Sequence, residues 1–491
     1  MTSIRLRFAR FAIPVIAFLL IGLMSNSVFA SELDLRIAGP APTPHGTLAE
    51  RSQSLLGLFV FTGIAFGIGR LRGSRARLPL RTIVWGFILQ FAFGAIVLFA
   101  PAVLEQVQLA IQKLLDYSNA GATMLFGPAL VNGGVANVTN DPAGRGTVVG
   151  FAQIGFVFAI TVLPTIMFVS LLTAVLYHLG ILTWIVHGLA WLMQKTMGTS
   201  GAETLSTAAN IFVGQTEAPL IVRPFLATAT NSELMAIMVG GFANIATGVL
   251  VAYTDFLQDF VPNVGGHLAL ACFISAPATL VVSKLIMPET EKPATSSVDF
   301  KVERVDANLF DAATRGTSEG LALALNVGAM LITFTALVAL LNAMFGGVTG
   351  WFGLGQATTV NGAIVYSGLT LEQVFGWLFA PLAWLTGIEW QYCTRVGSLL
   401  GIKTVLNEFL AYLQMGNSYR ADPNFLSPRA GLLATYALCG FANFASIGIQ
   451  IGGISVLAPN RRADLSRIGL LAMIGGAIAT LMGACVVGIL V

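Results

Sequence analysis

Charged residues are scarce in this sequence. Asp, Glu, Lys and Arg make up 10% of the 491 residues, whereas hydrophobic residues make up 56%, and the mean hydropathy is +0.81. Ordinary globular domains carry roughly a quarter charged residues. The net charge of +3 comes without a basic run interleaved with aromatics, which argues against a nucleic-acid-binding protein. The composition is typical of a polytopic membrane protein.

Cysteine is also rare, and its pattern excludes a redox or zinc motif. The four cysteines have no CxxC spacing and mostly lie in apolar stretches. In such stretches a cysteine behaves as a small hydrophobic residue. We expect all four to be packing residues.

The N-terminus has the layout of a secretory signal. Arg5, Arg7 and Arg10 precede an apolar run, and small residues offer a cleavage site after Ala30. An uncleaved anchor helix is the alternative. In either case residues 31–53 are expected outside the cytoplasm.

Apolar runs of about 17 to 25 residues, the length that crosses a bilayer, recur along the chain. Their connecting loops obey the positive-inside rule, because the predicted inner loops hold fourteen Lys or Arg and the outer segments six. Both ends of the mature chain are then external. The predicted spans are 54–69, 82–100, 152–177, 232–252, 264–287, 321–345, 430–457 and 468–490.

Residues 102–116 are predicted to form an amphipathic interfacial helix. Its apolar face carries Val103 and Ile111, and polar residues such as Gln108 are placed elsewhere. The Gly-, Asn- and Ala-rich residues 117–150 are expected to form an external loop.

Two segments, 199–231 and 371–415, are apolar but interrupted by polar residues. If either crossed the membrane fully, the arginine-rich loops after it would face outward. We therefore predict two re-entrant hairpins, which protein or a water-filled cavity must line. Gly214 and Pro219 mark the predicted turn of the first hairpin, and Gly401 is the predicted breaker in the second.

Each hairpin is followed by a span with a matching polar centre, GFANIATG (241–248) and GFANFASIG (440–448). Charge topology gives the two copies opposite directions. Inverted repeats with broken helices are typical of secondary transporters. A chance similarity of two small-residue helices is the alternative. The predicted fold is an all-α polytopic membrane protein with about eight transmembrane helices and two re-entrant hairpins in an inverted repeat with broken helices.

The predicted organisation follows from these segments. It comprises a signal peptide (1–30), a scaffold of N-terminal spans and interfacial helices (31–198), a first repeat (199–290), an interfacial segment with a scaffold span (291–370) and a second repeat (371–491).

Each hairpin carries a carboxylate at membrane depth, Glu217 in the first and Glu408 in the second. Such a residue costs about 2.5 to 3.5 kcal/mol and persists when it is paired or faces a wet site. Both are candidate site residues. Structural ion pairs with Arg223 or Lys403 are the alternative.

Four stretches together resemble the signatures of the concentrative nucleoside transporters, and the resemblance extends over roughly residues 54–491. The stretches are GQTEAPL (214–220), SELMAIMVGGFANIATG (232–248), GSLLGIKTVLNEFLAY (397–412) and YALCGFANFASIGIQIGG (436–453). The resemblance implies a homotrimer whose protomers have a scaffold and a transport domain.

The resemblance also implies which residues bind the nucleoside. Amide, hydroxyl and carboxylate groups suit the base edge and the ribose hydroxyls. The implied base-binding residues are Gln215, Thr216 and Glu217; those for the ribose are Glu408, Asn443 and Ser446; Phe441 is implied to make apolar contact.

A sodium site is implied between the first hairpin and the broken helix after it. Its ligands would be Asn210, Val213, Asn244 and Ile245, the valine and isoleucine through their carbonyls. Asn244 departs from the family pattern, which more often has a small hydroxyl residue there. Proton coupling is therefore an alternative to sodium coupling.

The sequence thus predicts a nucleoside symporter in the cell inner membrane, with nucleosides and lipid as partners and a coupling ion but no other cofactor. It is not predicted to be an enzyme, because GxSxG and HExxH motifs are absent from the sequence. An ion channel is the third functional class, after a transporter and an enzyme. Two non-identical carboxylate hairpins fit a channel poorly.

Overall fold

The apolar runs form helices, as a chain must in lipid, where each backbone polar group needs an internal partner. The computed structural model describes residues 46–73, 78–131, 134–140, 146–153, 158–295, 306–355, 357–360, 363–366 and 368–491. The predicted signal peptide, 1–30, lies outside these residues.

Helices account for most of the described residues, which confirms the all-α class. The first ten are α1 (Leu48–Leu71), α2 (Leu80–Gly94), α3 (Ile96–Phe99), α4 (Pro101–Phe126), α5 (Pro128–Val131), α6 (Phe158–His178), α7 (Ile181–Met197), α8 (Gly201–Ala209), α9 (Ala218–Ile221) and α10 (Arg223–Leu226). The others are α11 (Asn231–Ala243), α12 (Thr247–Leu257), α13 (Val264–Ile286), α14 (Leu309–Trp351), α15 (Leu371–Leu385), α16 (Trp390–Val405), α17 (Glu408–Ala421), α18 (Pro428–Leu438), α19 (Phe444–Leu457) and α20 (Arg462–Leu490).

Two short antiparallel β-hairpins accompany the helices. One pairs β1 (Gly134–Asn140) with β2 (Gly146–Gln153), and the other pairs β3 (Ala357–Val360) with β4 (Ala363–Tyr366). The first begins within residues 117–150, which the sequence analysis treats as a loop, and ends at Gln153.

That loop prediction is wrong for its first ten residues as well, because α4 continues to Phe126. The continuation buries small residues, Ser118 and Ala122, rather than large apolar ones. The Ser118 hydroxyl lies 3.0 Å from the hydroxyl of Thr165 on α6. A search for large apolar residues misses a helix face of this kind.

The buried face of α4 was predicted correctly only in part: Ile111 is buried as expected. Gln108, assigned to the polar side, is buried, and its Oε1 accepts a 2.7 Å hydrogen bond from the backbone N–H of Gly265. Val103, assigned to the apolar side, is 40% exposed. The helix packs against α13, and the Gly265 N–H on that helix satisfies the buried amide oxygen of Gln108.

Seven helical segments of the described chain are long and apolar enough to cross a membrane, and they correspond to seven of the eight predicted spans. The eighth prediction, 430–457, coincides with two shorter helices, α18 and α19, which are separated by an unwound stretch.

Burial separates an inner group of helices from peripheral ones. In the most apolar stretch of the segment Asn231–Leu257, 89% of the residues are buried, against 6% for Leu309–Trp351. Helices α11, α13 and α20 pack against one another in this inner group. The hairpins and the broken helices are therefore held by a buried core.

Candidate functional site

The first hairpin begins with α8, whose start is fixed by a capping box. The Ser200 hydroxyl accepts from Glu203 N–H, and the Glu203 carboxylate accepts from Ser200 N–H. The helix ends at Ala209, and residues 210–217 are irregular before the short helices α9 and α10. The polar residues of the signature thus lie on non-helical backbone, as expected for a re-entrant turn.

The second hairpin breaks at Leu406 and Asn407, between α16 and α17. The side chain of Asn407 caps α17 by accepting a 2.8 Å hydrogen bond from Leu410 N–H. Glu408 is the first residue of that helix and is 3% exposed. The carboxylate therefore lies at a helix N-terminus, where negative charge is favoured.

Gly401 is not the breaker of this hairpin, and that prediction is wrong. It lies inside α16, four residues before the helix ends at Val405. A Cβ at this position would come within 2.2 Å of the Cβ of Phe375 on α15. The glycine serves close packing of two helices.

The two GFAN segments form the breaks in two helices. One helix ends at Ala243 and resumes at Thr247; the other ends at Leu438 and resumes at Phe444. The breaks touch each other, because Phe441 N–H donates to the Asn244 carbonyl over 3.4 Å.

Hydrogen bonds join the predicted ribose residues to one another. Asn443 Nδ2 donates to Glu408 Oε2 over 3.2 Å, and Asn443 Oδ1 accepts from Ser446 N–H over 2.9 Å. The Tyr253 hydroxyl donates to Glu408 Oε1 over 2.9 Å. All four side chains are buried.

The same chain of hydrogen bonds continues into the first hairpin. Gln215 Nε2 donates to Ser446 Oγ over 3.2 Å, and Gln450 Nε2 donates to Gln215 Oε1 over 3.1 Å. Residues of both repeats thus form one polar network, which we call the bend network: Gln450, Gln215, Ser446, Asn443, Glu408 and Tyr253.

Three predicted substrate residues lie outside the bend network. Thr216 and Glu217 are exposed, and Phe441 is half-buried. Gly214 N–H donates to the Glu217 carboxylate over 3.5 Å, and the nearby charges acting on Glu217 are those of Glu319 and Arg315 on α14. The structure therefore brings Glu217 near the long peripheral helix and not into contact with Glu408.

The alternative of structural ion pairs finds no support in the described part of the chain. No Lys or Arg nitrogen lies within 4.0 Å of a Glu217 or Glu408 carboxylate oxygen there. Arg223 is exposed, and Lys403 donates instead to the Ala437 carbonyl and the Thr480 hydroxyl.

The four predicted sodium ligands are all buried and belong to two adjoining segments. Asn210 and Val213 flank Phe212, whose carbonyl accepts hydrogen bonds from the N–H and hydroxyl of Thr247. This contact holds the first hairpin beside the break that contains Asn244 and Ile245. The predicted ligands would coordinate the ion through neutral amide and carbonyl oxygens, which suit a hard monovalent cation.

The Asn244 side chain is held from both ends. Its Nδ2 donates to the Gly240 carbonyl over 3.3 Å, and its Oδ1 accepts from the hydroxyl of Ser275 on α13. The amide oxygen of Asn244 is thus already bonded to a hydroxyl group of the neighbouring helix.

Sequence reasoning missed three residues of this region, namely Tyr253, Gln450 and Ser275. Gln450 had a signal, since residues 443, 446 and 450 share one helical face at spacings of three and four. Tyr253 and Ser275 had none, because their partners are 155 and 31 residues away in the chain.

Hairpins whose polar bends meet at two broken, buried helices define a class of multi-pass membrane proteins, the secondary transporters. Three family models cover most of this chain. They describe the N-terminus of Na+ dependent nucleoside transporters over residues 56–129, nucleoside recognition over 159–260 and the C-terminus of Na+ dependent nucleoside transporters over 267–488.

Known proteins agree with this assignment. An uncharacterized transporter of Haemophilus influenzae is 40% identical over 444 residues, which are 89% of this chain and 97% of the relative. Sodium/nucleoside cotransporter 1 of Rattus norvegicus is 39% identical over 459 residues, 90% of this chain and 64% of the relative. CNTnw in an inward-facing substrate-bound state is 38% identical, with a TM-score of 0.76 over 90% of this chain and 97% of that one.

The chain belongs to the concentrative nucleoside transporter family. It is a multi-pass membrane protein and a nucleoside transporter, and the family is one of transporters rather than enzymes.

Proposed function

We propose that the protein imports nucleosides by cation symport with alternating access, and that sodium is the coupling ion. The observation that carries this proposal is the bend network, in which side chains of both repeats form one buried hydrogen-bonded chain between the hairpins. A ligand bound there would contact both repeats at once. Its binding could therefore be coupled to their common movement.

The network's chemistry suits a nucleoside. The ribose hydroxyls would bind Glu408, Asn443 and Ser446, which are already aligned by mutual hydrogen bonds. A site built to hydrogen-bond a hydroxyl discriminates strongly against ligands that lack it, because its own polar groups are left unpaired.

The base would bind Gln215, Thr216 and Glu217, with Phe441 in apolar contact. In the described chain, Gln450 Oε1 is buried without a hydrogen-bond partner, so the network retains acceptor capacity on the Gln215 side. Thr216 and Glu217 are exposed and can receive a polar solute from the aqueous phase.

Sodium would bind Asn210, Val213, Asn244 and Ile245, next to the network. One charge moved across 100 mV is worth about 2.3 kcal/mol, which sustains roughly a fiftyfold gradient of a neutral solute. A single cation is thus sufficient for accumulation.

The topology and assembly belong to the same proposal. The arginine-rich loops would face the cytoplasm of an inner membrane, and both mature termini would be external. The most apolar stretch of helix α14 is scarcely buried within one chain, which supports a role in a homotrimer scaffold. Accessibility of single cysteines introduced near positions 46 and 491 tests the position of the termini.

Uptake of radiolabelled uridine into proteoliposomes tests the transport mechanism. Saturable accumulation above equilibrium, driven by an inward sodium gradient and lost in choline buffer, is the expected result. The assay is repeated at pH 7.5 and 5.5. Accumulation that follows the pH gradient and ignores sodium would establish proton coupling, and equilibration without accumulation would contradict symport.

A further inference from the structure

Buried polar side chains follow one face of α8 in the first hairpin. Glu203, Thr207 and Asn210 recur at spacings of four and three residues, which places them on one helical face. Ser206 borders that face, and none of the four is more than 1% exposed. At a rise of about 1.5 Å per residue, the polar face extends roughly 10 Å from Glu203 to Asn210. Polar residues inside membrane proteins often mark the pathways of ions and substrates.

Two neighbouring helices pack against this face. An added Cβ at Gly240 of α11 would lie 3.3 Å from Asn210 Nδ2 and 3.5 Å from Thr207 Oγ1. The same position is 3.6 Å from Cγ2 of Thr279, which is on α13. Because Gly240 has no side chain, α11 adds no apolar group at the point where these residues meet. We call Ser206, Thr207 and Thr279 the hydroxyl line.

Two hydroxyls of the hydroxyl line have no hydrogen-bond partner among the described residues. These are Ser206 Oγ and Thr279 Oγ1, and both residues are fully buried. The Thr207 hydroxyl donates to the Glu203 carbonyl over 2.8 Å and keeps acceptor capacity on its oxygen. Buried polar groups in proteins are nearly always bonded to protein or to ordered water. The hydroxyl line can therefore bind water or a small cation.

The end of this face at the start of α8 is charged. Glu203 Oε2 lies 2.6 Å from Lys284 Nζ, which is also 3.6 Å from Glu289 Oε2. The Ser200 hydroxyl, which caps α8, donates to Glu233 Oε1 over 2.6 Å. Three carboxylates thus surround one ammonium group, and an excess of negative charge raises the local concentration of cations. The side chain of Glu289 is 23% exposed, so this acidic end reaches the protein surface.

The opposite end of the polar face belongs to the proposed sodium site. Asn210 is one of the proposed ligands, and its Nδ2 donates to the Ser206 carbonyl over 3.1 Å. We infer that the hydroxyl line is a transit site for a small monovalent cation, which passes along α8 from the sodium site to the acidic inner end. The bend network takes no part in this route, so the cation and the nucleoside leave separately. This inference rests on the proposed symport and topology, and it adds a site outside the four proposed sodium ligands.

Net uptake and exchange of uridine distinguish a transit site from a structural role. Net uptake requires the cation to leave the protein on the inner side in every cycle. Exchange of labelled for unlabelled uridine, with saturating sodium on both sides of a proteoliposome, can proceed while the cation stays bound. Loss of the transit site should therefore slow net uptake and spare exchange, whereas a defect in folding or in nucleoside binding should slow both.

Ser206→Ala combined with Thr279→Val removes both unpartnered hydroxyls. Neither change breaks a hydrogen bond of the described chain, so the variant should fold and bind uridine as the wild type does. We expect net uptake to fall about tenfold, as for one lost contact to a charged group, while exchange changes by less than about twofold. Thr404→Val is the matched control, because its half-buried hydroxyl lies in the second hairpin and donates to the Leu400 carbonyl over 2.8 Å. It should leave both rates unchanged.

Wild-type net uptake by the folded double variant would overturn the inference, since the cation would then leave without these hydroxyls. An equal loss of net uptake and exchange would overturn it as well, because the residues would then serve the fold or nucleoside binding. Each single variant is measured in the same way, so that a folding defect of the double variant does not decide the result. Failure of the wild-type protein to accumulate uridine on a sodium gradient would instead refute the proposed sodium symport.

Discussion

Asn443 joins the broken helix of the second repeat to the carboxylate of the second hairpin. Its Nδ2 donates to Glu408 Oε2 over 3.2 Å, while its Oδ1 accepts from Ser446 N–H and caps α19. One amide thus sets both the start of the helix and the orientation of Glu408. The fold uses a local capping interaction to position a candidate ligand group.

Glu408→Gln should strongly reduce nucleoside accumulation while leaving membrane insertion intact. The neutral amide cannot offer two acceptor oxygens to ribose hydroxyls and to Tyr253 at once. Loss of one charged hydrogen bond corresponds to a decrease of roughly tenfold to a hundredfold in transport efficiency. Uridine uptake and gel filtration of the purified variant are the measurements.

Tyr253→Phe is the matched control, because it removes a partner of Glu408 and keeps the carboxylate. It should raise KM with a smaller loss of uptake. Wild-type uptake by both Glu408→Gln and the corresponding Glu217→Gln variant would refute the site assignment.

Gln450→Leu should weaken nucleoside binding through Gln215. Leucine has a similar volume but cannot donate to Gln215 Oε1, so the Gln215 side chain loses its orientation. The expected increase in KM is roughly fivefold, corresponding to one neutral hydrogen bond. The ratio of uridine to deoxyuridine uptake should stay constant, since the ribose residues are untouched. A changed ratio would show that Gln450 acts at the ribose.

Much of the fold was predictable because lipid restricts the choices. Helix lengths, loop charges and the repeated GFAN segments indicated the spans and the two broken helices, which the structure contains near 244 and 439. The predictions failed for residues whose side chains or backbone contact other parts of the protein rather than lipid. Gln108 and Gly401 were misinterpreted because their roles depend on Gly265 and Phe375, which are distant in sequence.

The residues of the candidate site were likewise predictable only in part. Asn443 and Ser446 were predicted from the resemblance of their signature, and the structure joins them by a hydrogen bond at the start of one helix. Tyr253 could not be predicted, since its hydrogen bond to Glu408 exists only after the two repeats have packed. The spacing of apolar residues shows which residues share one face of a helix or strand. It does not show which part of the protein that face contacts.

Asn244→Ser should change ion dependence more than nucleoside specificity. Serine is the kind of small hydroxyl residue expected at this position, but it does not extend as far as the asparagine that bonds Gly240 and Ser275. We expect the sodium concentration for half-maximal uptake to shift severalfold while the order of preferred nucleosides is kept. Sodium titration of uptake for four nucleosides measures both. An unchanged sodium response would favour protons or another ligand set.

The pair of Asp306 and Arg315, at the start of α14, should be insensitive to the pH values used in uptake assays. Hydrogen bonding and charge from Arg315 lower the pKa of Asp306 below its usual value. Because the folded pKa is lowered, the stability from this pair is present above the unfolded value of about 3.9 and is lost as the pH falls through the folded pKa.

Asp306→Asn tests this, with an expected loss of about 1 kcal/mol or less because Arg315 is partly exposed. Thermal unfolding in detergent at pH 7.5 and 5.5 should show the same difference between wild type and variant at both values. A difference that shrinks at pH 5.5 would contradict the lowered pKa.

Gly440→Ala should prevent the two breaks from meeting. Gly440 has φ of 128°, which L-residues rarely adopt, and an added Cβ would lie 2.7 Å from the Phe242 carbonyl oxygen of the other repeat. Strain of this kind costs roughly 1–3 kcal/mol, and the backbone contact adds to it. The variant should therefore unfold at lower temperature and lose uptake even where it inserts.

Gly448→Ala provides the control, because this exposed glycine lies inside α19 with no atom within 4 Å of an added Cβ. It should keep wild-type uptake and gain slightly in stability, since alanine favours a helix by roughly 0.5–1 kcal/mol over glycine. Equal stability and uptake in the two variants would mean that the contact between the breaks is not needed for the transporting state.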